Sequence, residues 1–142
     1  MKILVATDGS KQALHAVKYA IKLYRQLACG SHAITLISVH DDAGLRPAEA
    51  FVGRGAVADY LRELGEKVLK PARKLLDAAG IQHDMEVRTG HAAQEIVQCA
   101  SAGKFDLVVL GAKGRGAIPD LLLGSVAQRV LSTSPVPVLL VK

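Results

Sequence analysis

Residues 105–130, FDLVVLGAKGRGAIPDLLLGSVAQRV, join a strand to a helix through a long segment that contains four glycines. The apolar run at 105–110 is short and rich in leucine and valine, which is typical of a buried strand. Apolar spacing between Gly124 and Ser134 indicates a helix. Because parallel strands are joined by helical crossovers, this order predicts a parallel sheet.

The same alternation of strands and helices extends over the rest of the chain. Short apolar runs predict four more strands, at 2–7, 33–39, 82–88 and 136–141. Apolar residues at helical spacing separate them, in stretches that begin near Ser10, Val57 and His91. We therefore expect a single α/β domain over residues 1–142. It is doubly wound, with a five-stranded parallel sheet in the order 3-2-1-4-5 and helices on both faces.

Three local features give sharper structural expectations. Ser10 stands where the first helix begins and is predicted to be its N-cap. Pro71 lies inside the second helical pattern, where its missing N–H is expected to kink or split the helix. Residues 41–56 form a polar, glycine-containing connection that we expect to be mobile and that is a candidate to lie over a ligand.

Composition limits the partners of this chain. The net charge is +5, but the basic residues are spread along the sequence and only 4% of residues are aromatic, so nucleic acid is not an expected partner. Neither a leader nor an apolar stretch of about 20 residues is found, which predicts a cytoplasmic protein without a membrane anchor. The histidines do not fall at zinc-ligand spacing, so no metal site of the protein's own is expected.

The glycine-containing segment 111–125 is the strongest candidate for binding chemistry. Glycine permits positive φ and close backbone approach, so successive N–H groups can converge on phosphate oxygens. Ser125 and Gln128 fit a capping box that predicts Ser125 as the N-cap of the last helix, whose positive end favours anions. Lys113 and Arg115 add positive charge. These features predict an anion site, while a plain flexible loop remains the alternative.

A second candidate element is Ala6-Thr7-Asp8-Gly9-Ser10, at the end of the first strand. In a doubly wound sheet, ligands bind at the carboxyl ends of strands where the strand order reverses. With the order 3-2-1-4-5, this point brings Thr7 and Asp8 beside segment 111–125. The alternative is that Asp8 and Ser10 only cap a helix. Neither a P-loop motif nor a complete dinucleotide fingerprint occurs in the sequence.

Four positions of the glycine segment match a longer pattern, G-x2-G-x9-G-[ST], through Gly111, Gly114, Gly124 and Ser125. The opening ILVATDGS (3–10), the block FDLVVLGAKGRG (105–116) and the ending GSVAQRVLSTSPVPVLLVK (124–142) add to the match. On these motifs the chain resembles the universal stress protein family, and specifically its ATP-binding branch.

The resemblance implies that ATP is the ligand, with Mg²⁺ bound through its phosphates. The four pattern residues would hold the triphosphate, Val126 would add a backbone contact, and Lys113 and Arg115 would assist. At the first strand, Asp8 would lie near the ribose or the phosphate-bound Mg²⁺, and Val39 would contact adenine through its backbone. The implied binding residues are Ala6, Thr7, Asp8, Val39, Gly111, Lys113, Gly114, Arg115, Gly124, Ser125 and Val126.

The resemblance also implies a dimeric regulator in the stress response, which pairs through the last strand, 136–141, and acts on an unidentified signalling partner. No general base is identifiable beside Ser125, so no catalytic residue is assigned and at most slow ATP hydrolysis is expected. One alternative is a dimeric adaptor that works without a nucleotide. Another is an adenylating enzyme, although such enzymes usually carry an SGGxDS-like first loop in place of Thr7–Ser10.

Overall fold

The computed structural model describes residues 1–27, 29–116, 119–120 and 122–142. Its strands form one parallel sheet in the order β3-β2-β1-β4-β5, which confirms the predicted α/β topology. The elements, in chain order, are β1 (Lys2–Ala6), α1 (Lys11–Gln26), β2 (Ala33–His40), α2 (Arg46–Val52), α3 (Arg54–Ala78), β3 (His83–Thr89), α4 (Ala92–Ala102), β4 (Leu107–Gly111), α5 (Ser125–Thr133) and β5 (Val138–Val141).

Helices cover both faces of the sheet, as predicted. Successive side chains of a strand point to opposite faces, so Ile3 and Leu4, both fully buried, enter different cores. Ile3 shares its core with Val17 of α1 and Leu76 of α3, whereas Leu4 shares its core with Ile96 of α4. The strand order reverses between β1 and β4, the strands on either side of β1 being β2 and β4. This reversal opens a crevice at the carboxyl edge of the sheet.

The connection 41–56 contains α2 and the start of α3. Pro47 stands at the beginning of α2, where a missing N–H is tolerated, and the following Ala-Glu-Ala run favours helix. The sequence patterns did not indicate this helix at residues 46–52.

Pro71 lies within α3 without ending it, so the predicted split of this helix does not occur. Pro71 and Lys67 are both exposed, and the Lys67 carbonyl that loses its helical partner can therefore be hydrated. Although α3 runs for 25 residues, none of the described helices is long and apolar enough to cross a membrane.

The last two strands, β4 and β5, begin two residues later than predicted. The Phe105 N–H donates to Ala100 O and the Asp106 N–H donates to Lys2 O, so both residues belong to the turn before β4. Pro137 has no N–H to donate and only accepts a bond from the Val108 N–H. As a result β5 is a short strand at one edge of the sheet.

α3 approaches β3 closely at Gly65, which is buried. A Cβ atom added to Gly65 would overlap the Val87 side chain, lying 2.8 Å from its Cγ2 and nearer still to its Cγ1. A residue with a side chain would therefore push α3 away from the sheet.

A polar cluster lies between β3 and α4. The Cys99 thiol, 2% exposed, donates to Glu86 Oε2 at 3.3 Å, and Arg88 Nε donates to Glu86 Oε1 at 2.6 Å. Burial, followed by the bond to Glu86, raises the pKa of Cys99 to about 11. The thiol is therefore uncharged at neutral pH. The other cysteine, Cys29, is exposed.

Candidate functional site

A cavity of about 280 Å³ opens at the carboxyl edge of the sheet, at the crevice between β1 and β4. Its walls come from the β1–α1 turn, the end of β2, the segment after β4 and the first turns of α4 and α5. All eleven binding residues predicted from the sequence line this one cavity: Ala6, Thr7, Asp8, Val39, Gly111, Lys113, Gly114, Arg115, Gly124, Ser125 and Val126. Residues 117, 118 and 121 of the predicted segment lie outside the described residues.

Asp8 joins the β1–α1 turn to the segment after β4, which we call the glycine loop (residues 112–124). The Arg115 N–H donates to Asp8 Oδ2 at 2.8 Å, and the Ser10 N–H donates to Asp8 Oδ1 at 2.9 Å. Ser10 is the N-cap of α1, as predicted, since its Oγ accepts the Ala13 N–H at 3.2 Å. Asp8 therefore does more than cap the start of a helix, because it also binds the glycine loop.

The Asp8 carboxyl group is held in its charged form. Burial alone would raise its pKa, but hydrogen bonds from Ser10 and from the Arg115 backbone hold the pKa below its ordinary value. A negative charge consequently lies beside the glycine loop near neutral pH.

The glycines of the pattern are required mainly for space. Gly111, Gly114, Gly116 and Gly124 are all among the described residues, and of these four only Gly116 has a positive φ, at 71°. A Cβ on Gly114 would lie 2.5 Å from Asp8 Oδ2, and a Cβ on Gly111 would lie 3.1 Å from the backbone of Gln12. Positive φ therefore does not explain Gly111, Gly114 and Gly124. Close approach to neighbouring atoms does explain Gly111 and Gly114.

The last helix begins one residue earlier than the capping box predicted. Gly124 is the N-cap of α5, and the cap makes no side-chain hydrogen bond. The Gly124 N–H donates to Ala112 O at 2.7 Å, which fixes Gly124 in extended backbone and leaves Ser125 as the first helical residue. Ser125 and Val126 line the cavity. The first-turn N–H groups of a helix have no partner inside it, so the positive end of α5 borders the cavity.

The two basic side chains of the loop differ in position. Lys113 Nζ donates to Pro119 O at 3.0 Å, so this ammonium group lies against the loop itself. The Arg115 guanidinium lies over the β1–α1 turn, where a Cβ on Gly9 would approach its Nη2 to 3.1 Å. Both charges therefore lie within the loop and turn that border the cavity.

The apolar wall of the cavity was not predicted from the sequence. Its residues come from β2, β4, three helices and the end of the glycine loop, and they are Ala13, Ile37, Ala92, Ile96, Leu110, Leu123 and Ala127. The topology carried the signal that could have found some of them. Residues at the carboxyl ends of the strands next to β1, and at the start of a following helix, must surround the same crevice.

His40 ends β2, next to the cavity residue Val39. Its Nε2 and Ser38 Oγ are 2.8 Å apart. Burial, and then the positive charge of Arg115, lower the pKa of His40. The imidazole is therefore neutral near pH 7 and responds to the charge of the glycine loop.

The described part of the chain holds no group of three His, Cys, Asp or Glu side chains placed to bind a metal ion. The cavity instead combines an apolar wall with backbone N–H groups, a helix N-terminus and a single carboxylate. Such a site suits a ligand with one flat apolar part and one anionic part.

Comparison with known proteins gives consistent matches over the whole chain. The model of the universal stress protein family matches residues 1–142. The universal stress protein MJ0531 of Methanocaldococcus jannaschii is 37% identical over 141 residues, which cover 99% of this chain and 81% of that protein.

Solved structures of similar proteins share the fold. The structure of MJ0577, a universal stress protein of M. jannaschii, has a TM-score of 0.85 at 28% identity and covers 99% of this chain and 94% of its own. A universal stress protein in complex with cAMP has a TM-score of 0.74 at 27% identity, with 100% and 97% of the two chains covered.

Proposed function

This chain belongs to the universal stress protein family, and on that premise we propose that the cavity at the carboxyl edge of its sheet binds ATP. The observation that carries the proposal is the convergence of three features on one cavity: the glycine loop, the N-terminus of α5, and Asp8 at the end of β1. A relative of 27% identity that binds cAMP supports an adenine nucleotide as the class of ligand.

The triphosphate is proposed to lie along the glycine loop. Gly111, Gly114 and Gly124 leave the backbone without side chains, so phosphate oxygens can approach its N–H groups. The Ser125 hydroxyl and the Val126 N–H, in the first turn of α5, add donors where the helix carries partial positive charge. Lys113 and Arg115 add full charges at the same edge.

The adenine and ribose are proposed to occupy the enclosed part of the cavity. Its apolar wall suits a flat aromatic base, with the backbone of Val39 beside it and Ala6 and Thr7 at its floor. A volume of about 280 Å³ is near the lower end of ligand cavities, ~300 to 1,000 Å³. We therefore propose that the base and sugar fill it, while the phosphates extend along the loop.

The residues fit an Mg²⁺ ion that is bound mainly by the nucleotide. Mg²⁺ usually keeps several waters and takes one or two carboxylates in addition to substrate phosphates. The Asp8 carboxylate is the one acidic group among the described residues that line the cavity. When bound, the ion would offset the charge of the triphosphate beside Asp8.

At the level of the cell, we propose a cytoplasmic stress-response regulator that forms a homodimer through strand 136–141. The edge position of β5, with Val138, Leu139 and Leu140 half-buried, supports pairing with a second copy. ATP would favour one arrangement of the glycine loop and thereby change the surface offered to a signalling partner. At most slow hydrolysis is proposed.

Calorimetric titration with Mg²⁺ and ATP tests the nucleotide site. We expect wild-type protein to bind ATP and Gly114→Ala to bind at least tenfold more weakly, because the new Cβ meets Asp8 Oδ2. Gly44→Ala is the matched control, since a Cβ there has no atom within 4 Å. The proposal is refuted if Gly114→Ala and wild type bind ATP equally well, or if wild type binds ATP more weakly than millimolar.

A dimeric adaptor that works without nucleotide is the second candidate, and the half-buried apolar residues of β5 are the observation that favours it. The two functions differ in what accompanies the purified protein. Mass spectrometry of protein isolated under native conditions should detect ATP or ADP only if the cavity binds nucleotide.

A further inference from the structure

Gln12, the second residue of α1, contacts the glycine loop from outside the cavity. Its side-chain Oε1 accepts the Lys113 N–H at 2.9 Å. Its own backbone packs against Gly111, where an added Cβ would lie 3.1 Å from the Gln12 carbonyl carbon and oxygen. One residue of α1 therefore touches both the last residue of β4 and the beginning of the loop.

The Gln12 contact belongs to a set of bonds that close the loop at its neck. The Ala112 N–H donates to Val141 O at 2.8 Å, which continues the β4–β5 ladder by one residue. The Gly124 N–H donates to Ala112 O at 2.7 Å and brings the far end of the loop back to its beginning. The Lys113 N–H is the next group along the chain, and it has no strand beside it. Gln12 supplies its acceptor.

We propose that Gln12 is a positioning residue for the nucleotide site, which holds the neck of the glycine loop in the arrangement that receives the triphosphate. This inference rests on the proposed ATP site. Holding the neck before the ligand arrives reduces the conformational entropy that binding must remove.

Gln12 and Asp8 hold the loop in different ways. Asp8 accepts the Arg115 N–H with a charged carboxylate at the cavity, where a phosphate oxygen would compete for the same N–H. Gln12 binds the Lys113 N–H with a neutral group of a residue that lies outside the cavity lining. Gln12 can therefore keep its bond while the nucleotide is bound, and its amide adds no charge that repels phosphate.

The test compares two substitutions of Gln12 with a matched control. Gln12→Met keeps the length of the side chain and removes the acceptor, whereas Gln12→Glu keeps an acceptor oxygen. Gln26→Met makes the same exchange at an exposed position in the last turn of α1. Binding of Mg²⁺-ATP and of adenosine is measured by calorimetry, and exchange of the Lys113 amide by NMR in protein without nucleotide.

We expect Gln12→Met to bind ATP about fivefold more weakly, the effect of one lost hydrogen bond, and to bind adenosine as wild type does. Its Lys113 amide should exchange faster than in Gln26→Met, and Gln12→Glu should restore the protection. Unchanged ATP affinity in Gln12→Met would overturn the inference and leave the ATP site intact. If wild type binds no ATP, the proposed function fails, and equal Lys113 exchange in wild type and Gln12→Met would refute the anchoring as well.

Discussion

Gly65 and Gly114 both stand where a Cβ atom would overlap a neighbour, but the neighbours are of different kinds. At Gly65 the neighbour is the Val87 side chain, in the buried contact between α3 and β3. At Gly114 it is the Asp8 carboxylate, beside a cavity. The same residue type therefore serves packing in one region and a polar site in the other. The neighbouring atoms distinguish the two uses, and the glycine alone does not.

The largest effect on stability is expected at the packing glycine. Gly65→Ala should lower the free energy of unfolding by about 2 kcal/mol, since overpacking typically costs 1–3 kcal/mol and alanine recovers up to about 1 kcal/mol of helix propensity. Urea unfolding measures the change. ATP affinity should stay within about twofold of wild type, because α3 at Gly65 contacts β3 away from the cavity.

A second substitution at the same contact shows whether crowding is the cause. Val87→Ala removes the two atoms nearest to the new Cβ, so Gly65→Ala/Val87→Ala should be more stable than the sum of the two single variants implies. Strict additivity would show that α3 and β3 do not crowd each other at this point.

At the polar glycine, we expect the neighbour to affect binding more than folding. Asp8→Asn keeps the shape of the side chain but removes its charge, and we expect ATP affinity to fall about tenfold, or ~1.4 kcal/mol. Calorimetry with Mg²⁺-ATP measures it, with Asp106→Asn, at the opposite edge of the sheet, as control. Undiminished affinity in Asp8→Asn would remove this carboxylate from the proposed site.

The Asp8 substitution also has a pH signature. The pKa of Asp8 is lower in the folded protein than in the unfolded chain, so its charged form contributes stability above the ordinary pKa of about 3.9. That contribution is lost as the pH falls through the lowered value. The stability difference between wild type and Asp8→Asn in urea should therefore shrink on acidification from pH 6 to pH 3, and a constant difference would contradict the assignment.

A substitution in the β1–α1 turn should have a smaller effect. Ser10 caps α1 through its hydroxyl, so Ser10→Ala should lower the free energy of unfolding by about 1 kcal/mol, while Ser10→Thr should keep most of it. Thermal or urea unfolding gives the values. A loss of ATP affinity in Ser10→Ala as large as in Asp8→Asn would mean that the turn and the site cannot be separated.

The smallest expected effect is on the ionisation of His40. Burial and Arg115 lower its pKa, so the folded state favours the neutral ring and loses stability as the pH falls below about 6.5. Arg115→Met should raise the His40 pKa, and ATP should do the same in wild type by offsetting the charge of Arg115. NMR titration of the ring protons measures both shifts. If neither change shifts the His40 pKa, His40 is not electrostatically coupled to the glycine loop.

The sequence was most informative where its patterns follow the fold's own geometry. The apolar runs and their alternation predicted a doubly wound parallel sheet, and the spacing from Gly111 to Ser125 selected residues that meet at one cavity. The apolar wall was not found because residues such as Ile37 and Ile96 look like ordinary core residues. Only their positions beside the crevice distinguish them.

Local rules failed where tertiary contacts decide between similar states. Ser125 and Gln128 satisfy a capping box, but the bond from the Gly124 N–H to Ala112 O moves the cap one residue earlier. A proline inside an isolated helix usually breaks it. Packing on both sides of Pro71 nevertheless keeps α3 continuous through an exposed turn. Gln12 has no sequence signal, since its role depends on β4 lying beside α1.

The contrast between the two cysteines gives this protein a built-in chemical reporter. Reagents that alkylate thiols attack the ionised form, and Cys99 is buried with a pKa of about 11, whereas Cys29 is exposed. At neutral pH, Cys29 should be labelled at once in the native protein. Modification of Cys99 then measures how often α4 separates from β3, without any engineered residue.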